Sequence, residues 1–529
     1  TAEVREILGG LDLLLNLRRG RLDDAERVLA GLGSTSTPSR AWFVGALAAE
    51  LHARRGRLDE AASHLARAMD QVDAWRSSLN DRQLRQTLLE PRLLYADPDL
   101  GVATVIARLA AGGRAAEALT LAERLRARDL LDRLERQVAL GDRPRTRTVP
   151  VPGDRAGRVR GPARISPAEL ASILPDEQTA IVEFVTGAGG DPTTVFVVSR
   201  DGVRSHQVAG IDSLSTDAAL FTRLAAAGAT SPALARTLGT RLLGAALAGL
   251  PAGIQRLVLV PDHGLHHLPF DALVVRDGAL LGDRFVLSVM PSMAVARTLR
   301  ALPPRPAGIL LGFGDPEPPS RATLRQHPAA PAAWAAGLPR LPGAAREVRE
   351  IGALFRGSVT VTGTGASEAM LMTRSLRDVA VLHLGTHAWV DESQLGGSVL
   401  ALSPGDAEDG LVLADDLASL RLDADLVTLS ACATARGVDV QAEGLVGLTV
   451  PLLESGARAV LATAWRVDDA ETARFMAGFY RELARGLAVG DALHRTKAAA
   501  RRRGAPVNVW SAFTLVGDAT IRPHLEPVP

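Results

Sequence analysis

A single cysteine, Cys432, stands in the 529-residue chain, and it closes an apolar run, Asp425-Leu426-Val427-Thr428-Leu429-Ser430-Ala431, that ends in small residues. A second run of the same kind, Val379-Ala380-Val381-Leu382-His383-Leu384-Gly385-Thr386, ends at His387. A thiolate is a nucleophile, and an imidazole beside it can take the thiol proton and later hand one to a leaving amine. Both runs are rich in β-branched and aliphatic residues and hold no proline, so they read as buried strands of a parallel sheet. Open α/β sheets carry their chemistry at the carboxyl ends of strands, where these two side chains emerge. Taken alone the pair is a weak signal, since a lone buried cysteine is more often an inert small apolar group.

Other residues invite chemistry and fit it less well. His263, His266 and His267 crowd three imidazoles into a short stretch, but no cysteine or acidic pair nearby completes a metal site, so a loop packed on the sheet is expected and no metal or cofactor is. Gly312-Phe313-Gly314-Asp315-Pro316 lacks the Lys-Ser/Thr of a phosphate loop and the third glycine of a dinucleotide fingerprint, and reads as a turn after a strand. Asp468 and Asp469 follow the apolar run 459–463 and Trp465. They either line a pocket for a basic side chain or cap the helix that starts there, and the residues leave both readings open.

The elements that must position these groups change character along the chain. Residues 1–137 read as helical. Arg19-Gly20-Arg21-Leu22-Asp23-Asp24-Ala25 recurs as Arg55-Gly56-Arg57-Leu58-Asp59-Glu60-Ala61, and more loosely as Gly112-Gly113-Arg114-Ala115-Ala116-Glu117-Ala118. Each glycine sits between two amphipathic runs, as the turn of a helical hairpin requires. The interval is close to the roughly 34 residues of the tetratricopeptide repeat, whose stacked hairpins leave a concave surface for a partner. Residues 138–165 are rich in Pro, Gly and Arg and read as a linker. From 166 onward strands alternate with helices, with strands expected at 180–185, 194–198, 256–260, 308–313, 358–362, 379–384, 425–430, 458–463 and 512–516. Helices are expected near 231–249 and at 343–355, 444–455, 469–485 and 488–502. That alternation argues for a mostly parallel sheet covered on both faces.

Composition narrows the partners. With net charge +1 and 22% charged residues, no general field draws in nucleic acid or an anionic membrane. Every basic residue but Lys497 is arginine, a bias that fits a GC-rich bacterial genome. One cysteine excludes an internal disulfide. No run is long and apolar enough for a bilayer span, no secretory signal opens the chain as given, and the cytoplasm is the expected location.

Several motifs, in order, carry a resemblance. Val381-Leu382-His383-Leu384-Gly385-Thr386-His387 and Leu426-Val427-Thr428-Leu429-Ser430-Ala431-Cys432 come with Glu443-Gly444-Leu445, Gly456-Ala457-Arg458-Ala459-Val460 and Trp465-Arg466-Val467-Asp468-Asp469. Trp510-Ser511-Ala512-Phe513-Thr514-Leu515-Val516-Gly517-Asp518 follows, and Val260-Pro261-Asp262-His263-Gly264-Leu265 precedes them. Together they resemble the CHAT family of caspase-like peptidases, which often follow tetratricopeptide repeats. His387 also precedes Cys432 by a little under the roughly 50 residues that separate the two in caspases.

The resemblance implies an α + α/β chain, in which N-terminal helical repeats lead into a caspase-like α/β/α sandwich. Its non-catalytic front half would span 166–340 and its catalytic half 341–529. It implies a cysteine endopeptidase with Cys432 as nucleophile and His387 as general base and acid, the backbone N–H groups of Ala388 and Cys432 receiving the oxyanion. Separases, which resemble this family, carry an acidic residue after a similar Trp-x-Val stretch, and Asp469 matches its spacing better than Asp468. The implied partners are a protein substrate and an activating protein held by the repeats, in bacterial defence or regulated cell death. Ala388 stands where the family usually has Gly, so strain is expected there if a positive φ is required; Ala433 and Ala435 depart from the pattern after the cysteine. A catalytically silent interaction scaffold on the same fold is the alternative.

Overall fold

The computed structural model describes residues 2–32, 38–78, 101–127, 130–135, 165–187, 190–390, 397–430, 437–440 and 444–529. Cys432, Ala433 and Ala435 lie outside the described residues, as does nearly all of the expected linker at 138–165.

The chain opens on α1 (Ala2–Arg18), α2 (Leu22–Gly31), α3 (Pro38–Arg54), α4 (Leu58–Ser78), α5 (Val102–Ala111) and α6 (Ala115–Glu123). They pair as three hairpins. The turn glycines Gly20, Gly56 and Gly113 have φ of 68°, 75° and 80°, the left-handed conformation that ends a helix and that a Cβ opposes. Ala25, Ala61 and Ala118, the repeated alanines of the second helices, are each 0% exposed. The recurrence in sequence is thus a recurrence of packing. Leu13 and Leu17 of α1 meet Phe43, Leu47 and Leu51 of α3, and the last hairpin continues into the core of the sheet. There Gln207 Nε2 donates to the Ala107 carbonyl at 2.7 Å.

Strands β1 (Thr179–Val185), β2 (Thr193–Ser199), β3 (Gly202–Val208), β4 (Arg256–Val260) and β5 (Val286–Val289) form the front of that sheet. β6 (Ile309–Pro316), β7 (Val359–Gly363), β8 (Val379–Gly385), β12 (Leu426–Leu429), β15 (Ala459–Thr463) and β16 (Phe513–Gly517) form the rear. They make one 11-stranded sheet in the order β3-β2-β1-β4-β5-β16-β15-β12-β8-β6-β7. Its pairs are parallel except β1–β2, β2–β3 and β15–β16. The front and rear join at a single pairing, Val516 with Val289. Along β1 alternate residues enter opposite cores, Ile181 and Val185 on one face and Ala180, Val182 and Phe184 on the other, as expected of a strand buried on both faces. The covering helices are α7 (Ile211–Ala226), α8 (Pro232–Ala248), α9 (Met293–Ala301), α10 (Pro342–Gly352), α11 (Asp469–Ala484) and α12 (Val489–Arg502). None of the described helices is long and apolar enough to cross a membrane.

Two local expectations are corrected, and one strand was not anticipated. Residues 444–455 were expected as one helix; instead β14 (Gly444–Gly447) pairs with β13 (Gly437–Val440), and only Thr449–Glu454 is helical. Pro451 and Gly447 weaken a longer helix, and the hairpin wins. Gly312–Pro316 is not a turn but the end of β6, paired with β7 and β8. The strand β3, half-exposed and carrying Arg204, His206 and Gln207, lacks the apolar run that betrays its neighbours.

Candidate active site

β8 and β12 run side by side, Leu426 to Leu429 opposite Val381 to Leu384. The ladder continues where the Ser430 N–H donates to the Leu384 carbonyl at 2.9 Å. Both strands therefore release the chain at one edge of the sheet. After β8 the chain bends at Thr386, whose hydroxyl donates to the Ala401 carbonyl. His387 then opens a short strand, β9 (His387–Trp389), which pairs with β10 (Val399–Ala401), itself paired with β11 (Leu411–Leu413). His387 and Ser430, the latter two residues before Cys432, line one cleft of about 520 Å³, with Pro339, Glu347, Arg466 and Asp469 on its walls.

The His387 ring is fixed at one nitrogen. Nε2 lies 2.7 Å from the Pro339 carbonyl. A carbonyl can only accept, so Nε2 carries the proton and the lone pair is on Nδ1. Burial holds the imidazole pKa below its ordinary value; the Pro339 bond, Asp469 and Asp315 pull it up, and Arg466 pushes it down. The result is a neutral base at neutral pH.

Beneath the cleft runs a buried polar chain. His383 Nε2 stands 2.7 Å from Glu347 Oε1, its Nδ1 is 3.0 Å from the Tyr480 hydroxyl, and that hydroxyl is 2.9 Å from Thr428 Oγ1. His383, Tyr480 and Thr428 are all 0% exposed, and burial drives the Tyr480 phenol pKa up. This chain ties β8 and β12 to α10 and α11, the helices over them. His383, four residues before His387 in the same motif, is thus a structural histidine.

Both aspartates line the cleft, and they differ in their partners. Asp468 is the N-cap of α11, accepting from the Ala470 and Glu471 N–H groups at 3.0 and 3.2 Å. Asp469 faces the cleft, and its Oδ2 accepts from the Gly343 N–H at 2.6 Å at the start of α10. A Cβ on Gly343 would come within 2.3 Å of that oxygen, so the close approach requires glycine. Ala388 lies in β9 opposite Leu400 with its side chain buried. Its φ is not positive, so the strain expected from the Gly-to-Ala departure does not arise. His263, His266 and His267 fall on one short turn, where burial holds the His266 pKa down to about 3.

Sequence reasoning missed Pro339, Arg340 and Glu347 on the cleft wall, and it reads Asp315 as part of a turn. Nothing in the local pattern of Pro339, Arg340 and Glu347 marks them, because they reach the cleft through a loop and a helix distant in sequence; Asp315, at the end of β6, reaches Arg340 and Leu341.

The CHAT domain family matches residues 232–518, more than half of the chain. The mouse protein named tetratricopeptide repeat protein 28 is 28% identical over 315 residues, covering 51% of this chain and 12% of that protein. Its human counterpart is 26% identical over the same length and coverage. The chain thus spans 12% of the length of these curated relatives. Among solved structures, the Saccharomyces cerevisiae separase–securin complex at 2.6 Å aligns with a TM-score of 0.44 and 10% identity, over 87% of this chain and 37% of that one.

Proposed function

From the premise that the chain belongs to the CHAT domain family, we propose that it is a caspase-like cysteine endopeptidase with Cys432 as nucleophile and His387 as general base and acid. One observation carries the reading. A neutral imidazole with its lone pair on Nδ1 shares a cleft with Ser430, where the strand leading to Cys432 ends. In the reaction, His387 takes the Cys432 proton and the sulfur attacks a peptide carbonyl carbon. The oxyanion is received by the N–H groups of Cys432 and Ala388. His387 returns the proton to the amine nitrogen as the C–N bond breaks, leaving a thioester. Water, deprotonated by His387, then attacks the thioester; the C–S bond breaks, the thiol regains its proton and the acid product departs.

The substrate is a protein, held in extended form across the cleft. Asp469, on the cleft wall, favours Arg or Lys before the cut through charge-assisted hydrogen bonds. The helical hairpins recognise the substrate or an activating protein that releases a latent state, and the setting proposed is bacterial defence or regulated cell death.

A thiol-directed activity probe on the full chain tests the assignment. Labelling that disappears in Cys432→Ala and drops in His387→Ala supports the peptidase. An unlabelled Cys432, with and without candidate partners, leaves a silent interaction scaffold. Peptides differing only before the cut test Asp469: equal cleavage after Arg and after Leu removes it from the pocket.

A further inference from the structure

Just before α10 the chain passes along the rim of the cleft as a short strap, Pro339-Arg340-Leu341, which runs into Pro342 and Gly343 at the start of that helix. Its Pro339 carbonyl is the group that accepts from His387 Nε2. A proline carbonyl in a loop holds no direction by itself, so something must aim it.

The aim comes from the end of β6. The β6–β7 register breaks between Gly314 and Pro316, skipping Asp315. Asp315 adopts φ of 46°, a left-handed conformation that few residues with a side chain tolerate and that Asp tolerates better than most. The carboxylate, on a residue only 7% exposed, accepts three bonds from the strap. Arg340 Nε donates to Oδ1 at 2.9 Å, Arg340 Nη2 to Oδ2 at 2.7 Å, and the Leu341 N–H to Oδ1 at 2.6 Å. Asp469 grips the far end through the Gly343 N–H. An isolated Arg–Asp pair at a surface would count for little. Here the same carboxylate also takes a backbone N–H, and the residue it fixes adjoins the carbonyl on the histidine.

We infer that Asp315 is a positioning residue: by holding Arg340 and Leu341 it aims the Pro339 carbonyl at His387 Nε2 and keeps the lone pair on Nδ1, the nitrogen that serves the nucleophile. This rests on His387 being the base of the proposed peptidase. Asp315 touches neither substrate nor thiol in this role. Its effect passes through the tautomer and orientation of one ring.

The test uses the full chain with three variants in graded order. Asp315→Ala removes all three bonds, Asp315→Asn keeps an acceptor for the Leu341 N–H, and Arg340→Ala leaves the Leu341 bond intact. The readout independent of activity is the ¹⁵N signature of the His387 ring, assigned against His387→Gln. The parent protein is expected to hold one tautomer with the proton on Nε2. Asp315→Ala is expected to give a mixture, Asp315→Asn less of one, and Arg340→Ala the least. In turnover, Asp315→Ala is expected to lower kcat by about ten- to hundredfold, the scale of a misplaced catalytic group, with KM nearly unchanged. A parent-like His387 signature in a folded Asp315→Ala overturns the inference, and if that variant fails to fold, a parent-like signature in both Asp315→Asn and Arg340→Ala does so. Absence of Cys432 labelling in the parent would defeat the peptidase reading instead, and the ring signature would still decide whether Asp315 positions His387.

Discussion

The front and rear of the sheet each gather polar groups at the carboxyl ends of parallel strands, and they use them in opposite ways. At the front, the ends of β1 and β4 are filled by Arg126, which follows α6. Its guanidinium donates to the Phe184 carbonyl and to the Pro261 carbonyl at 3.1 Å, and pairs with Glu183 and Asp262 at 3.2 and 3.5 Å. Glu123, three residues earlier, accepts from the Met293 and Ala294 N–H groups at 2.9 Å and so caps α9. The last repeat hairpin thereby plugs the front. At the rear, the equivalent ends of β8 and β12 open on the cleft, and the polar groups there hold a histidine in a chosen orientation. The same architectural position carries a joint in one half and an open cleft in the other. What separates them is whether a side chain from another region occupies the space.

The contrast can be broken most forcefully at Arg126. Arg126→Ala strands Glu183 and Asp262 without their buried cation, and a loss of about 3–5 kcal/mol is expected from denaturant unfolding. A loss under about 1 kcal/mol would mean the plug adds little beyond apolar packing. At the rear, Tyr480→Phe leaves His383 Nδ1 and Thr428 Oγ1 without their shared hydroxyl, with an expected cost of about 1–3 kcal/mol. If it costs nothing, the buried chain under the cleft does not hold α11 to the sheet.

The two ends should also differ in sign with pH. Burial first, and Glu123 next, raise the Glu183 pKa above 4.5; its contribution is fully present below pH 4.5 and is lost as pH rises through the folded value. Burial lowers the His387 pKa below 6.5; its contribution is present above pH 6.5 and is lost as pH falls through the folded value. Stability against pH should therefore fall less with rising pH in Glu183→Gln, and less with falling pH in His387→Gln. Parallel curves for parent and variant would remove either group from the account. The smallest effect is expected at Asp468, where Asp468→Ala removes a helix cap at about 1 kcal/mol. A change in residue preference at the cut would instead give Asp468 a place in the pocket.

Much of the fold is legible in the chain because local chemistry repeats the global plan. Gly20, Gly56 and Gly113 mark turns that only a left-handed residue closes, and the alanines after them mark tight helix contacts. The apolar runs ending at Ser430 and Thr386 announce parallel strands buried on both faces, and the order of motifs announces the family. β3 escapes notice because its exposed face leaves no apolar run, and the hairpin of β13 and β14 because its strands are only four residues each, too short to show a pattern.

His387, Asp468 and Asp469 are picked out by residue type, by their place after apolar runs and by the family resemblance, and only the cap at Asp468 is written in its neighbouring residues. Which nitrogen of His387 holds the proton, why Asp468 caps α11 while Asp469 takes the Gly343 N–H, and how Asp315 reaches the strap were decided only by tertiary structure. Hydrogen-bond direction depends on where a distant carbonyl or carboxylate stands in space, and a linear order of residues carries no such vector.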